Sequence, residues 1–247
     1  MKYAQHLAAA MGVIFMAGAL NTVSASLVLV APEDFPGTGL GAVNTVLTIT
    51  SPGATTAEQG CVGRNNTTGC PGGTATGAQP GDFIGGTLGD NEMTGASQTL
   101  TRTVAELGIL SAAGLRVVFN AVEPGGNSIT LTDLVLNIYS STGVLEFTSG
   151  AFVDQPFADT FTGVGNSGFV FALDAVQAAQ AQTLSGLNPT DRLGLSASAT
   201  NATGGPETFF IAQTVTPVPQ IPEPASLLLL GSGLAGLGVW RWKKGQV

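Results

Sequence analysis

The sequence predicts an all-β protein, an antiparallel, jelly-roll-like β-sandwich carrying one short helix, and three observations carry that prediction. The hydrophobic period through the middle of the chain is two, the alternation of a strand whose faces see different surroundings. Glycine and proline are dense, 35 and 13 of 247 residues, and cluster between the periodic runs as turn chemistry. Hydrophobic residues make up 44% of the chain and charged ones 10%, enough apolar mass for a core and too little charge for a disordered or coiled-coil chain. A single all-β domain of this length is ordinary.

Taken in chain order, residues 1–25 open with Lys2, continue as the apolar stretch 7–20 and end in Val23-Ser24-Ala25. This is the three-part pattern of a secretory signal peptide, cleaved between Ala25 and Ser26, with the Sec export machinery and signal peptidase as partners. Its removal takes away His6, the one histidine of the chain. The exported β domain is then expected over 26–213.

Within that domain, Val43, Thr45, Leu47 and Ile49 share one face of a half-buried strand, and Leu193, Leu195, Ala197 and Ala199 share one face of another. Short runs rich in β-branched and aromatic residues at 115–122, 144–148, 169–173 and 208–212 read as further strands. Between 129 and 138 the apolar phase flips: Ile129 and Leu131 are odd, Leu134, Leu136 and Ile138 even. A β-bulge at Thr132-Asp133, or two shorter strands with a bend, accounts for the flip. One helix is expected from the N-cap Asp174 to about Ser185, stopped by Gly186, with Val176, Ala179, Thr183 and Leu187 near one face.

Residues 51–97 are poor in apolar content and read as a long exposed loop excursion. Cys61 and Cys70 lie in it among Gly, Asn and Pro. In an exported chain such a pair reads as a disulfide, closing a mobile loop and contributing about 2–3 kcal/mol. Asp82, Asp90, Asn91 and Glu92 offer oxygen ligands for calcium but lack the regular acidic alternation of an EF-hand loop. No metal and no cofactor is assigned.

Between Ser26 and Ile221 there are four Arg and no Lys against 15 acids, a net −11. Such a chain has no basic face with which to neutralise phosphates, which excludes nucleic acid as a partner. With no imidazole after residue 25, the commonest general base is missing, and the chain reads as a non-enzyme. Asp154 and Asp159 retain the minimum for a carboxylate-based glycoside hydrolase. Sugar-binding platforms expose Trp or Tyr, and this region holds only Tyr139, which weakens a carbohydrate-binding surface module as the alternative. Asn66-Thr67-Thr68 and Asn201-Ala202-Thr203 have the form of glycosylation sequons and read as Thr-rich loops.

After a Pro-rich linker, 214–221, come Pro222-Glu223-Pro224, the apolar run 225–240, and Arg241, Trp242, Lys243 and Lys244. Sixteen helical residues rise only about 24 Å, so the run is a marginal transmembrane helix. Arg241, Lys243 and Lys244 are the stop-transfer charges, holding that end in the cytoplasm by the positive-inside rule. Pro222, Glu223 and Pro224, the short Leu/Gly-rich helix and the terminal basic cluster occur in the order that resembles the PEP-CTERM sorting signal. The resemblance covers residues 222–247. It implies processing by exosortase at Pro222-Glu223-Pro224 and passage through an inner-membrane intermediate. The destination it implies is the outer envelope, cell surface or extracellular matrix of a bacterium that makes exopolysaccharide. With that destination, the absence of Lys from 26–221 and the abundance of Thr, Ser and Asn suit a hydrated surface, and the expected function is structural, associated with extracellular polysaccharide and biofilm.

Overall fold

The structure is a computed structural model and describes residues 27–30, 43–51, 55–75, 77, 79–85, 91–95, 97–121, 123, 128–157 and 168–214. In one antiparallel sheet, β1 (Val28–Leu29), β10 (Gly168–Ala172), β6 (Leu115–Asn120), β12 (Glu207–Gln213) and β2 (Thr45–Ile49) lie side by side in that order. In the second sheet the order is β4 (Phe83–Ile84), β3 (Ala57–Gly63), β11 (Arg192–Thr200), β7 (Ile129–Tyr139) and β8 (Leu145–Thr148). Two short strands complete it: β5 (Arg102–Thr103) extends alongside β11, and β9 (Gln155–Phe157) pairs with β7. Leaving aside the short β1, β4, β5 and β9, the two sheets read β10-β6-β12-β2 and β3-β11-β7-β8, the strand order of a jelly roll.

The reason is the alternation itself. Val117 and Phe119 of β6, Phe171 of β10, and Phe209 and Ile211 of β12 turn inward to meet Leu134, Leu136 and Ile138 of β7 and Leu193 and Leu195 of β11 in one core. Phe119 stacks on Phe209 with ring centroids 4.8 Å apart, a cross-strand pair at the centre of that core. On the opposite face of the first sheet, Val118, Val170 and Phe210 form a second, smaller cluster with Val30, Val43 and Ala212.

The phase flip resolves as a bulge. The strand is continuous from Ile129 to Tyr139, and its register to β11 shifts between Ser198 and Ala199, leaving Thr132 as the extra residue. From Asp133 onward the odd residues point away from the core, which carries Asn137 and Tyr139 to the outer face of the sheet.

The helix follows expectation in its limits and departs in its face. Asp174 caps α2 (Ala175–Ser185) by accepting from the Val176 and Gln177 amides, and Gly186 ends it at φ 65°. The buried side is Gln177, Ala178, Ala181 and Ser185, while Val176 and Thr183 are exposed. Small residues at these positions let the helix lie close against β8 and the turn at Ala112–Gly114. A one-turn helix, α1 (Val104–Leu107), was not expected; Thr103 and Glu106 close it with a reciprocal capping box.

Two further expectations change. β2 is buried along its whole length instead of on alternate residues: its register to β12 shifts at Val46, which joins Leu47 and Ile49 in the core while Val43 packs on the opposite face, and Thr48 is engaged by Thr99 and Gln98. The stretch 51–97 is no exposed excursion: it supplies β3 and β4 to the second sheet, and Cys61 lies on β3. The signal peptide and the C-terminal apolar run lie outside the described residues. Among the described residues no helix is long and apolar enough to cross a membrane.

Candidate functional site

The second sheet has two unlike ends. At the first, where β7 finishes and β11 begins, the Cys61–Cys70 disulfide ties β3 to the turn that follows it, and both cysteines are fully buried. That turn is wound around Asn65, whose side-chain oxygen accepts from the amides of Thr67, Thr68 and Gly69. It lies over the outer face of β7, where Asn137 donates to the Gly69 carbonyl at 3.5 Å. Tyr139 is wholly buried beneath it, and a methyl group on Gly69 would fall 1.5 Å from the phenol oxygen. Glycine is therefore required for the turn to close on the ring. Burial pushes the Tyr139 phenol above the usual tyrosine range.

Beside the disulfide sits the one ion pair among the described residues, Arg64 with Asp82 at 3.2 Å. Asp82 is 1% exposed. Its carboxylate accepts from the Thr101 amide at 2.7 Å and the Thr101 hydroxyl at 2.6 Å. Arg192 grips the same residue, donating to the Thr101 hydroxyl at 2.8 Å and carbonyl at 2.6 Å. Burial lowers the Arg192 pKa, against the opposing pull of the Asp82 charge. Next to this network Glu106 is held below the ordinary carboxylate range, chiefly by the Thr103 amide that donates to it.

The oxygens considered for calcium are engaged within the protein. Glu92 accepts from the Cys61 and Gly85 amides at 2.6 and 3.0 Å, Asn91 accepts from Gln59, and Asp82 is held as above. Asp90 lies outside the described residues. Among the described residues no group of three or more His, Cys, Asp or Glu is placed to hold a metal. Asp154 is exposed, and Asp159, with which the sequence pairs it, lies outside the described residues.

The opposite end is open. β3 begins, β11 finishes and β7 begins there, with Thr200 opposite both Ala57 and Thr130. The segments flanking these strands bring Thr56, Ser128, Asn201 and Thr203 around a depression of about 250 Å³. Sequence reasoning missed this grouping because its members come from distant stretches; only Asn201 and Thr203 had drawn notice, as a sequon.

The sorting residues Pro222, Glu223 and Pro224, the basic residues Arg241, Lys243 and Lys244, and the cleavage residues Ala25 and Ser26 all lie outside the described residues. What the structure fixes is where the domain hands over to them. Gln213 accepts from the Leu110 and Ser111 amides, and the Thr214 amide donates to the Gly114 carbonyl at 2.7 Å. The chain thus leaves the sandwich from an anchored point, eight Cα steps before Pro222, a reach of at most about 26–29 Å.

Comparison with known families identifies that tail. The family profile of the PEP-CTERM protein-sorting motif matches residues 220–244. The chain carries a PEP-CTERM sorting motif. The matched span contains Pro222, Glu223 and Pro224 and runs through Lys244. The PEP-CTERM motif indicates an exported protein sorted by exosortase to the cell envelope or surface. No curated protein and no solved structure matches the chain.

Proposed function

We propose that this PEP-CTERM protein is a non-catalytic structural component of the outer envelope or extracellular matrix, placed there by exosortase and working among extracellular polysaccharide. The observation that carries the reading is the sorting motif at 220–244. The folded domain is consistent with it. Its acids near the disulfide hold backbone amides and Arg64 in place, the work of a scaffold. The 26–221 region has no histidine. The signal peptide, the inner-membrane intermediate and the stop-transfer role of Arg241, Lys243 and Lys244 belong to the same proposal. Prolines at 222 and 224 keep the backbone out of a helix and present an extended segment to a processing enzyme.

The test is replacement of Pro222, Glu223 and Pro224 by alanine in a host with active exosortase, followed by fractionation. The protein is expected to stay inserted and uncleaved in the inner membrane. An unchanged ratio of processed to membrane-bound protein would show that the tail is only an anchor.

A further inference from the structure

The open end of the second sheet has the make-up of a ligand site, and we infer that the depression bounded by Thr56, Ser128, Asn201 and Thr203 binds a neutral saccharide chain. The four side chains converge from the ends of three adjacent strands, β3, β11 and β7. All four are exposed. The Thr56 and Ser128 hydroxyls and the Asn201 carboxamide are uncharged groups that both donate and accept, and the Thr203 hydroxyl, whose proton goes to Glu123, accepts, which matches a polyol whose hydroxyls do both.

The lining is held from beneath. Glu123 is 1% exposed, and its carboxylate accepts from the Thr203 amide at 3.0 Å and the Thr203 hydroxyl at 2.7 Å. The Ala202 amide donates to the Thr56 carbonyl at 2.9 Å, tying the two sides together. Asn201 stands between these anchors at φ 62°, a left-handed conformation that an asparagine tolerates. A loop fixed at both flanks keeps its recognition groups in place and loses little freedom on binding.

Charge decides between saccharide classes. Among the described residues no Lys or Arg lines the depression, a buried carboxylate lies beneath it, and residues 26–221 carry a net −11. An anionic polymer meets repulsion there with no cation to offset it. Size decides how much of the chain is held. At about 250 Å³ the depression falls below the roughly 300–1,000 Å³ of pockets that enclose a whole small ligand. It holds one ring of a chain and leaves the rest in solvent. With Tyr139 buried at the far end of β7, no ring stacks on the sugar from that residue. Each contact is therefore weak, and retention on a polymer comes from many copies engaging many units.

This inference deepens the proposed matrix role but fails separately from it, because binding is measured on purified protein without exosortase. The full chain, held in a sugar-free zwitterionic detergent, is mixed in turn with cellotetraose, maltotetraose and tetragalacturonate and followed by saturation-transfer-difference NMR. Transfer is expected to at least one of the two neutral tetramers and to be weaker for the anionic one. Asn201→Gly removes the carboxamide while glycine accepts the left-handed backbone, and Ser128→Ala removes one hydroxyl. Each should weaken binding by about three- to tenfold, the worth of one net hydrogen bond. Thr142→Ala, on the turn at the other end of β7, should leave it unchanged. Absence of transfer to both neutral sugars from a folded chain would overturn the site. Equal transfer to tetragalacturonate would overturn the charge argument, and binding indifferent to both Asn201→Gly and Ser128→Ala would overturn its location.

Discussion

The two ends of the second sheet are built by opposite means from the same three strands. Around Tyr139, the disulfide turn, Asp82, Thr101 and two arginines close over the strand ends, and the Asp82 carboxylate, the Thr101 hydroxyl and the arginine NH groups that reach them bond within the protein. Around Asn201 the strand ends stay open, and hydroxyls and a carboxamide face solvent. The difference teaches where rigidity and recognition sit in this domain. A buried charged network is tolerable only when each member is satisfied, and it then fixes one arrangement. An uncharged rim can face water at no such penalty and remain available to a ligand.

The comparison breaks most severely at Asp82. Asp82→Ala leaves the Thr101 amide and Arg64 without their buried acceptor, and the expected loss is about 3–5 kcal/mol, read from urea unfolding of the mature chain. A loss below 1 kcal/mol, by the same ~3–5 kcal/mol yardstick, would show that the network is loosely held. Replacing Cys61 and Cys70 together by alanine removes the staple and should lower stability by about 2–3 kcal/mol. Non-reducing peptide mapping of the exported protein should show the Cys61–Cys70 linkage directly, and free thiols there would contradict the closed end.

Alkaline pH tests the same end through one group. Burial raises the folded-state pKa of Tyr139 above its unfolded value, so the folded form favours the neutral phenol. The stability this contributes is complete below the unfolded pKa of about 10 and is lost as pH rises through the folded one. Near-ultraviolet absorbance of a chain prepared to begin at Ser26, in which Tyr139 is the one tyrosine, should show no tyrosinate until the protein unfolds. Smooth ionisation near the ordinary tyrosine value would mean that the turn does not seal the ring. The smallest effect belongs to the open end: Ser128→Ala should change stability by no more than about 0.5 kcal/mol, since it faces solvent.

β6, β10 and β12 of the first sheet and the middle of the second were legible because their residues alternate, whereas the burial of β2 was not, because its register shifts at Val46. The flip between Leu131 and Leu134 announced the bulge at Thr132, and Asp174 with Gly186 announced the limits of α2. The region 51–97 misled because its strands are stabilised without alternation. Gly60 leaves room for the Glu92 side chain, and Glu58, Asp82 and Glu92 are acids that bond inward, so a stretch that counts as polar and glycine-rich holds strands of the second sheet. The helix face misled because Ala and Gln spell no clear stripe, and the burial of Ala178 and Ala181 is decided by what lies beneath them. The open depression was invisible because pairing of β3, β11 and β7 alone brings Thr56, Ser128 and Asn201 together. The sorting residues were legible for the opposite reason, since Pro222-Glu223-Pro224 and the basic cluster are read as local sequence.

The account stands most directly on the C-terminus of the delivered protein. Intact mass measured on material recovered from the envelope or medium of an exosortase-bearing host should place the new C-terminus at Pro222-Glu223-Pro224, with residues 225–247 removed. A mass extending through Val247 in that material would contradict exosortase processing and leave the tail as a membrane anchor.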